Sequence, residues 1–117
     1  MAADAGLVEF ARDLFAGLEP ITARRMFGGT GLFVGDAMFA VIFRDRIYMK
    51  AGGELSAAYR AAGSEPFAYE AEGARRELGL MSLPEAALDD PEEAMAWARR
   101  SLAVAEQAAE KRVRRRR

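Results

Sequence analysis

An α+β domain of two layers, an antiparallel sheet covered by helices, is the fold this sequence predicts, and three observations carry the prediction. Residues 21–50 break into short apolar runs separated by glycines and two-residue polar reversals, the pattern of a β-meander. Five aromatic side chains, Phe27, Phe33, Phe39, Phe43 and Tyr48, fall inside that stretch, and aromatic residues favour the pleated, half-buried surface of a sheet. On both sides of the meander the apolar residues switch to a spacing of three and four, the period of helices.

The elements follow in order. Leu7, Phe10, Ala11, Leu14, Phe15 and Leu18 form one helical stripe, with Asp4 as its expected cap and Pro20 as its stop. Strands are expected at 21–27, 30–34, Ala37–Phe43 and Arg46–Lys50, turning at Gly35-Asp36 and Arg44-Asp45. Gly28, Gly29 and Gly31 predict a bulge or a sharp bend, because glycine reaches positive φ cheaply and admits a close backbone. Ala37–Phe43 is apolar on both faces and belongs at the centre of the sheet. A short helix follows Gly52-Gly53, with Leu55, Ala58, Tyr59 and Ala62 on one face and Gly63 as its stop. Two further strands are expected near 67–70 and 76–81, ending at Leu83-Pro84. Asp90-Pro91-Glu92-Glu93 opens a long helix: a side-chain cap, a proline where its missing N–H costs nothing, and acids at the positive dipole end. Met95, Ala98, Leu102 and Ala105 make its apolar stripe, and order is expected to fade beyond Glu106. The domain is therefore drawn as residues 1–106, followed by a basic segment, 107–117, that is disordered or a frayed helix end.

Composition narrows the chemistry. A chain of 117 residues with 51% hydrophobic side chains can bury one core without a staple. The absence of cysteine fits a reducing, cytoplasmic setting, and the longest apolar run, seven residues, is far too short to cross a membrane. With neither histidine nor cysteine, zinc sites and Ser-His-Asp triads are excluded. No carboxylate pair shows a catalytic spacing. The glycine cluster lacks the third glycine of a dinucleotide fingerprint and any following Gly-Lys-Ser/Thr. No catalytic residue, metal ligand or cofactor is assigned.

Net charge of −1 conceals a segregation. Six of the seventeen basic residues lie in 111–117, leaving eleven basic against eighteen acidic residues elsewhere, so a body of −7 carries a tail of +6. Lys111, Arg112, Arg114, Arg115, Arg116 and Arg117 are candidate phosphate contacts, which would bind nucleic acid without reading its bases. A solvated end that aids solubility is the plainer reading. Arg24 and Arg25, adjacent on a strand, point to opposite faces and cannot form one clamp. Arg24 remains a candidate anion or partner contact, and Tyr48 and Lys50 share a strand face that suits an interaction surface or simple edge protection. Met26, Phe27, Gly28, Gly29, Gly31 and Phe39 are read as structural, and Trp97 as the anchor of the last helix.

The run Arg24-x-Met26-Phe27-Gly28-Gly29-x-Gly31-Leu32-Phe33, with Met38-Phe39-Ala40 and Arg46-Ile47-Tyr48-Met49-Lys50, resembles the N-terminal domain of the TfoX/Sxy family of bacterial competence regulators. Pro66-Phe67-x-Tyr69, Leu83-Pro84, Leu88-Asp89-Asp90-Pro91-Glu92 and Trp97-Ala98 agree in order with its second half. The resemblance implies a secretion-chaperone-like α+β fold in a stand-alone form, where fuller relatives continue into a helical domain. It also implies a non-enzymatic regulator or adaptor of DNA-uptake genes that acts by binding a protein, either a transcription factor or the transcription machinery. DNA contact through the tail is one alternative, and a small-molecule site or enzyme built on Arg24, Tyr48 and Lys50 is another.

Overall fold

The computed structural model describes residues 5–18, 20–26 and 28–116. Helix α1 (Ala5–Leu14) runs into a single 3-10 turn at Ala16–Leu18. Four strands follow, β1 (Thr22–Met26), β2 (Gly29–Val34), β3 (Ala37–Phe43) and β4 (Arg46–Lys50), then helix α2 (Gly53–Ala61). The hairpin β5 (Pro66–Ala71) and β6 (Ala74–Ser82) precedes a four-residue helix α3 (Glu85–Leu88) and the 26-residue helix α4 (Pro91–Arg116). The α+β expectation holds: the six strands form one antiparallel sheet in the order β1-β2-β3-β4-β6-β5. The meander supplies the first four strands in sequence order, and β3 is interior, as its apolar faces require. The last hairpin returns so that its second strand pairs with β4, Met49 lying opposite Met81.

One face of the sheet holds the core. Leu32, Ala40, Ile42, Ile47, Met49 and Met81 are buried there beneath Ala94, Ala98 and Ala105 of α4, whose small side chains let the helix lie close on β3 and β4. Phe15, just past α1, meets Phe39 edge to face with ring centroids 5.6 Å apart. On α2, Tyr59 is fully buried, stacks on Trp97 at 4.3 Å and shares a 2.6 Å hydrogen bond with the Ser101 hydroxyl. Trp97 thus joins α4 to α2, although it is itself only half-buried.

Several local expectations are corrected. The bend expected at the glycine cluster falls at Gly28, which takes φ +77 between β1 and β2, whereas the bulge lies in β3: Leu32 pairs with Ala40 and Phe33 with Met38, leaving Phe39 as the extra residue. Phe39 and Ala40 are therefore both buried. Phe10, placed on the α1 stripe, is 42% exposed because it sits on the shoulder of the face defined by Ala11 and Leu14. Helix α3 has no counterpart among the predicted elements. Helix α4 continues through the basic segment to Arg116. The cap expected at Asp4 lies outside the described residues. Among the described residues, no helix is long and apolar enough to cross a membrane.

Candidate functional site

The second face of the sheet is assembled by register. Arg24 of β1 pairs with Gly31, Gly31 with Val41, Val41 with Tyr48 and Tyr48 with Ser82, so Arg24 and Tyr48 stand in one row across the sheet. Lys50, two residues on from Tyr48, shares that face by strand alternation and pairs with Leu80. Arg25 pairs with Thr30 in the neighbouring row and points the other way, as expected. At about 4.8 Å per strand, Arg24 and Tyr48 are separated by three steps, roughly 14 Å. This spacing suits an extended macromolecular contact and is too wide for a clamp on one small molecule.

Around this row lie Met26, Phe33, Met38, Val41, Phe43, Tyr48 and Phe67, all half-buried and all outside the core cluster. They cover one another. Phe67 packs edge to face on Phe43 at 5.2 Å and on Tyr48 at 4.9 Å. A side chain built on Gly31 would come within 2.7 Å of the Met26 sulfur, 3.0 Å of Phe33 and 3.1 Å of the Met38 sulfur. The bare backbone at Gly31 is thus the floor on which these three residues meet. Gly29 serves the opposite need, since a Cβ there would stand 2.6 Å from the Ile42 carbonyl oxygen. Gly28 takes φ +77 in the β1–β2 turn; Phe27 lies outside the described residues.

Three guanidinium groups roof the rings: Arg24 over Phe33 at 4.8 Å, Arg44 over Phe43 at 5.2 Å and Arg46 over Tyr48 at 5.8 Å. Arg46 is also bound to Glu65 at 2.7 Å, and that hydrogen bond is the main cause of its raised pKa. Among the described residues, Arg24, Arg44 and Lys50 have no carboxylate partner. The structure therefore brings together the three residues singled out in the sequence, Arg24, Tyr48 and Lys50, on one face. It adds Met38, Val41, Phe43, Phe67, Arg44 and Arg46, which sequence reasoning missed. One signal was available: a two-residue reversal at Arg44-Asp45 sets Phe43 opposite Arg46 and hence Val41 opposite Tyr48. Phe39 and Trp97 serve the core and the α2–α4 contact instead.

Two other regions complete the inventory. A cleft of about 480 Å³ opens between the β3–β4 turn and α3, lined by Leu7, Asp45, Arg46, Ile47, Leu83 and Pro84 among others. Arg24, Tyr48 and Lys50 are not in its wall. The basic tail projects from the end of α4, with Lys111, Arg112, Arg114 and Arg115 exposed. Arg112 donates to the Asp36 carbonyl oxygen at 3.3 Å, and Arg114 meets Glu110 at 3.5 Å. Arg116 ends the helix, and Arg117 lies outside the described residues. Among the described residues, no three acidic side chains gather as a metal site.

Comparison with known proteins adds two findings. The TfoX N-terminal domain family model matches residues 13–105. A 44-residue segment is 48% identical to the DNA transformation protein TfoX1 of Aliivibrio fischeri (strain ATCC 700601 / ES114), covering 38% of this chain and 21% of that protein.

Proposed function

Because the chain belongs to the TfoX N-terminal domain family, we propose that it is a non-enzymatic regulator of DNA-uptake genes, acting in the cytoplasm by binding a component of the transcription apparatus. The observation that carries this reading is the extent of the family match, which takes in the meander, both later strands and the apolar part of α4. The similarity to a DNA transformation protein points the same way. Binding is supported by a candidate face of rings, thioethers and cations spread over three strand steps, a width that suits a macromolecular contact. Deleting the gene in its own host and profiling transcripts tests the reading. Transcripts of DNA-uptake genes should fall, and they should recover when the chain is supplied in trans. Unchanged transcripts would remove the proposal.

A second reading, DNA contact through the tail, is favoured by one observation: four exposed cations end a helix that projects from an otherwise acidic body. Such contact would hold the chain near DNA without choosing the sequence.

A further inference from the structure

The geometry points to the face of the sheet opposite α4 as the docking surface for a partner segment that interleaves acidic with apolar side chains. This rests on the protein-binding reading above and names the surface and the chemistry it would use.

Four observations select that occupant. The face is apolar where it should be polar: Met26, Phe33, Met38, Val41, Phe43, Tyr48 and Phe67 are only half-buried and stand apart from the core, in positions that a solvated antiparallel face gives to polar residues. Its net formal charge is positive: among the described residues Arg24, Arg44 and Lys50 have no carboxylate partner, and the Glu65 carboxylate is paired with Arg46. The guanidinium carbons of Arg24 and Arg44 lie 4.8 and 5.2 Å from ring centroids, and among the described residues neither group is paired with a carboxylate, so each keeps donors that a partner's carboxylate can accept from. Two methionines flank Gly31, and unbranched thioethers adapt to varied apolar side chains.

The same observations disfavour other occupants. Single-stranded nucleic acid binds sheets by stacking bases on open ring faces. Here Phe33, Phe43 and Tyr48 already carry guanidinium groups, and Phe67 is wedged between two rings. A second copy docked through a two-fold axis would set Arg24, Arg44 and Lys50 against cations of the same face, a like-charge juxtaposition that opposes association. An acidic, apolar segment meets neither obstacle.

Fluorescence anisotropy on the full chain tests this with three labelled probes: a twelve-residue peptide alternating Glu with Leu and Phe, its Lys-for-Glu counterpart, and a twelve-nucleotide oligothymidylate. The acidic peptide should bind in low salt and the lysine peptide should not. Arg24→Glu and Lys50→Glu should each weaken the acidic peptide by about tenfold. Arg25→Glu, on the same strand but the opposite face, should leave it unchanged, which separates loss of the surface from loss of the fold. Backbone amide shifts should move at Gly31, Val41 and Tyr48. Binding of the oligothymidylate alone, insensitivity to Arg24→Glu and Lys50→Glu, or a concentration-dependent dimer abolished by Arg24→Glu would each overturn the proposal. Because the assay needs no transcription, its failure leaves the transcript result standing. Equally, peptide binding beside unchanged uptake transcripts would discard the regulatory role and keep the surface.

Discussion

A methyl group placed on Gly29 would meet the backbone oxygen of Ile42 at 2.6 Å, whereas one placed on Gly31 would meet the ends of two methionines and a phenylalanine ring. Backbone in the middle of a sheet cannot move aside, but methionine can rotate. Gly29→Ala should therefore cost about 3 kcal/mol and Gly31→Ala about 1 kcal/mol, read as the difference in urea midpoints at constant slope. Equal losses would show that the two glycines do the same work. Tyr59 offers a second test at this scale. Burial pushes its hydroxyl up to about 12 from 10.0, against the smaller opposing pull of the Ser101 hydrogen bond. The unfolded tyrosine ionises near pH 10 while the folded one resists, so its stabilising contribution is complete below pH 10 and is lost as pH rises towards 12. About 2–3 kcal/mol is at stake over those two units. Tyr59→Phe should be about 1 kcal/mol less stable than the original chain at pH 7. By pH 12 that order should reverse, measured by urea unfolding of both proteins at each pH.

Local chemistry made α4 legible in the sequence from its first turn. The Asp90 carboxylate accepts from the backbone N–H groups of Glu92 at 3.1 Å and Glu93 at 3.2 Å, the bonds that the Asp-Pro-Glu-Glu run announces. Asp90→Ala should cost about 1 kcal/mol by thermal or chemical unfolding, and Asp90→Asn should restore most of it. The β2–β3 and β3–β4 hairpins were legible for the same reason, since two-residue turns fix register over short distances. Non-local features were hidden. Nothing within β6 declares that it will pair with β4 rather than open a separate ribbon; that choice is made by shared burial of Met49 and Met81 under α4. Helix α3 is too short to show a period. The bulge at Phe39 breaks the alternation of β3, so counting by twos along the strand places Ala37 and Phe39 on the face opposite Ala40 and Ile42, whereas all four are buried in the core. The candidate face was half legible. Arg24, Tyr48 and Lys50 could be named from type and parity, but the rings that surround them needed the register of four strands.

Across the whole molecule, α4 joins two different chemistries. Ala94, Ala98, Ser101 and Ala105 are buried against the sheet and α2, and within three turns of the last of them the helix is solvated and basic. Among the described residues, the polar contacts at its end are weak: a hydrogen bond from Arg112 to a turn carbonyl, and an exposed ion pair at 3.5 Å within the helix itself, a kind worth well under 1 kcal/mol. Phosphates could therefore replace them at little cost. If all six tail cations met DNA, the logarithm of the affinity would fall with the logarithm of salt at a slope of about −5, so binding at low ionic strength should vanish near physiological salt. Ending the chain after Glu110 should flatten that slope towards zero, seen by anisotropy on a random-sequence duplex. The same truncation should change folding stability by less than about 1 kcal/mol, because residues 111–115, the described side chains it removes, are exposed. It should also leave binding of the acidic peptide to the opposite layer intact. A truncated chain that kept its DNA affinity and its steep salt slope would move the nucleic-acid contact off the tail and onto the body, where the cations of the sheet face are the next candidates.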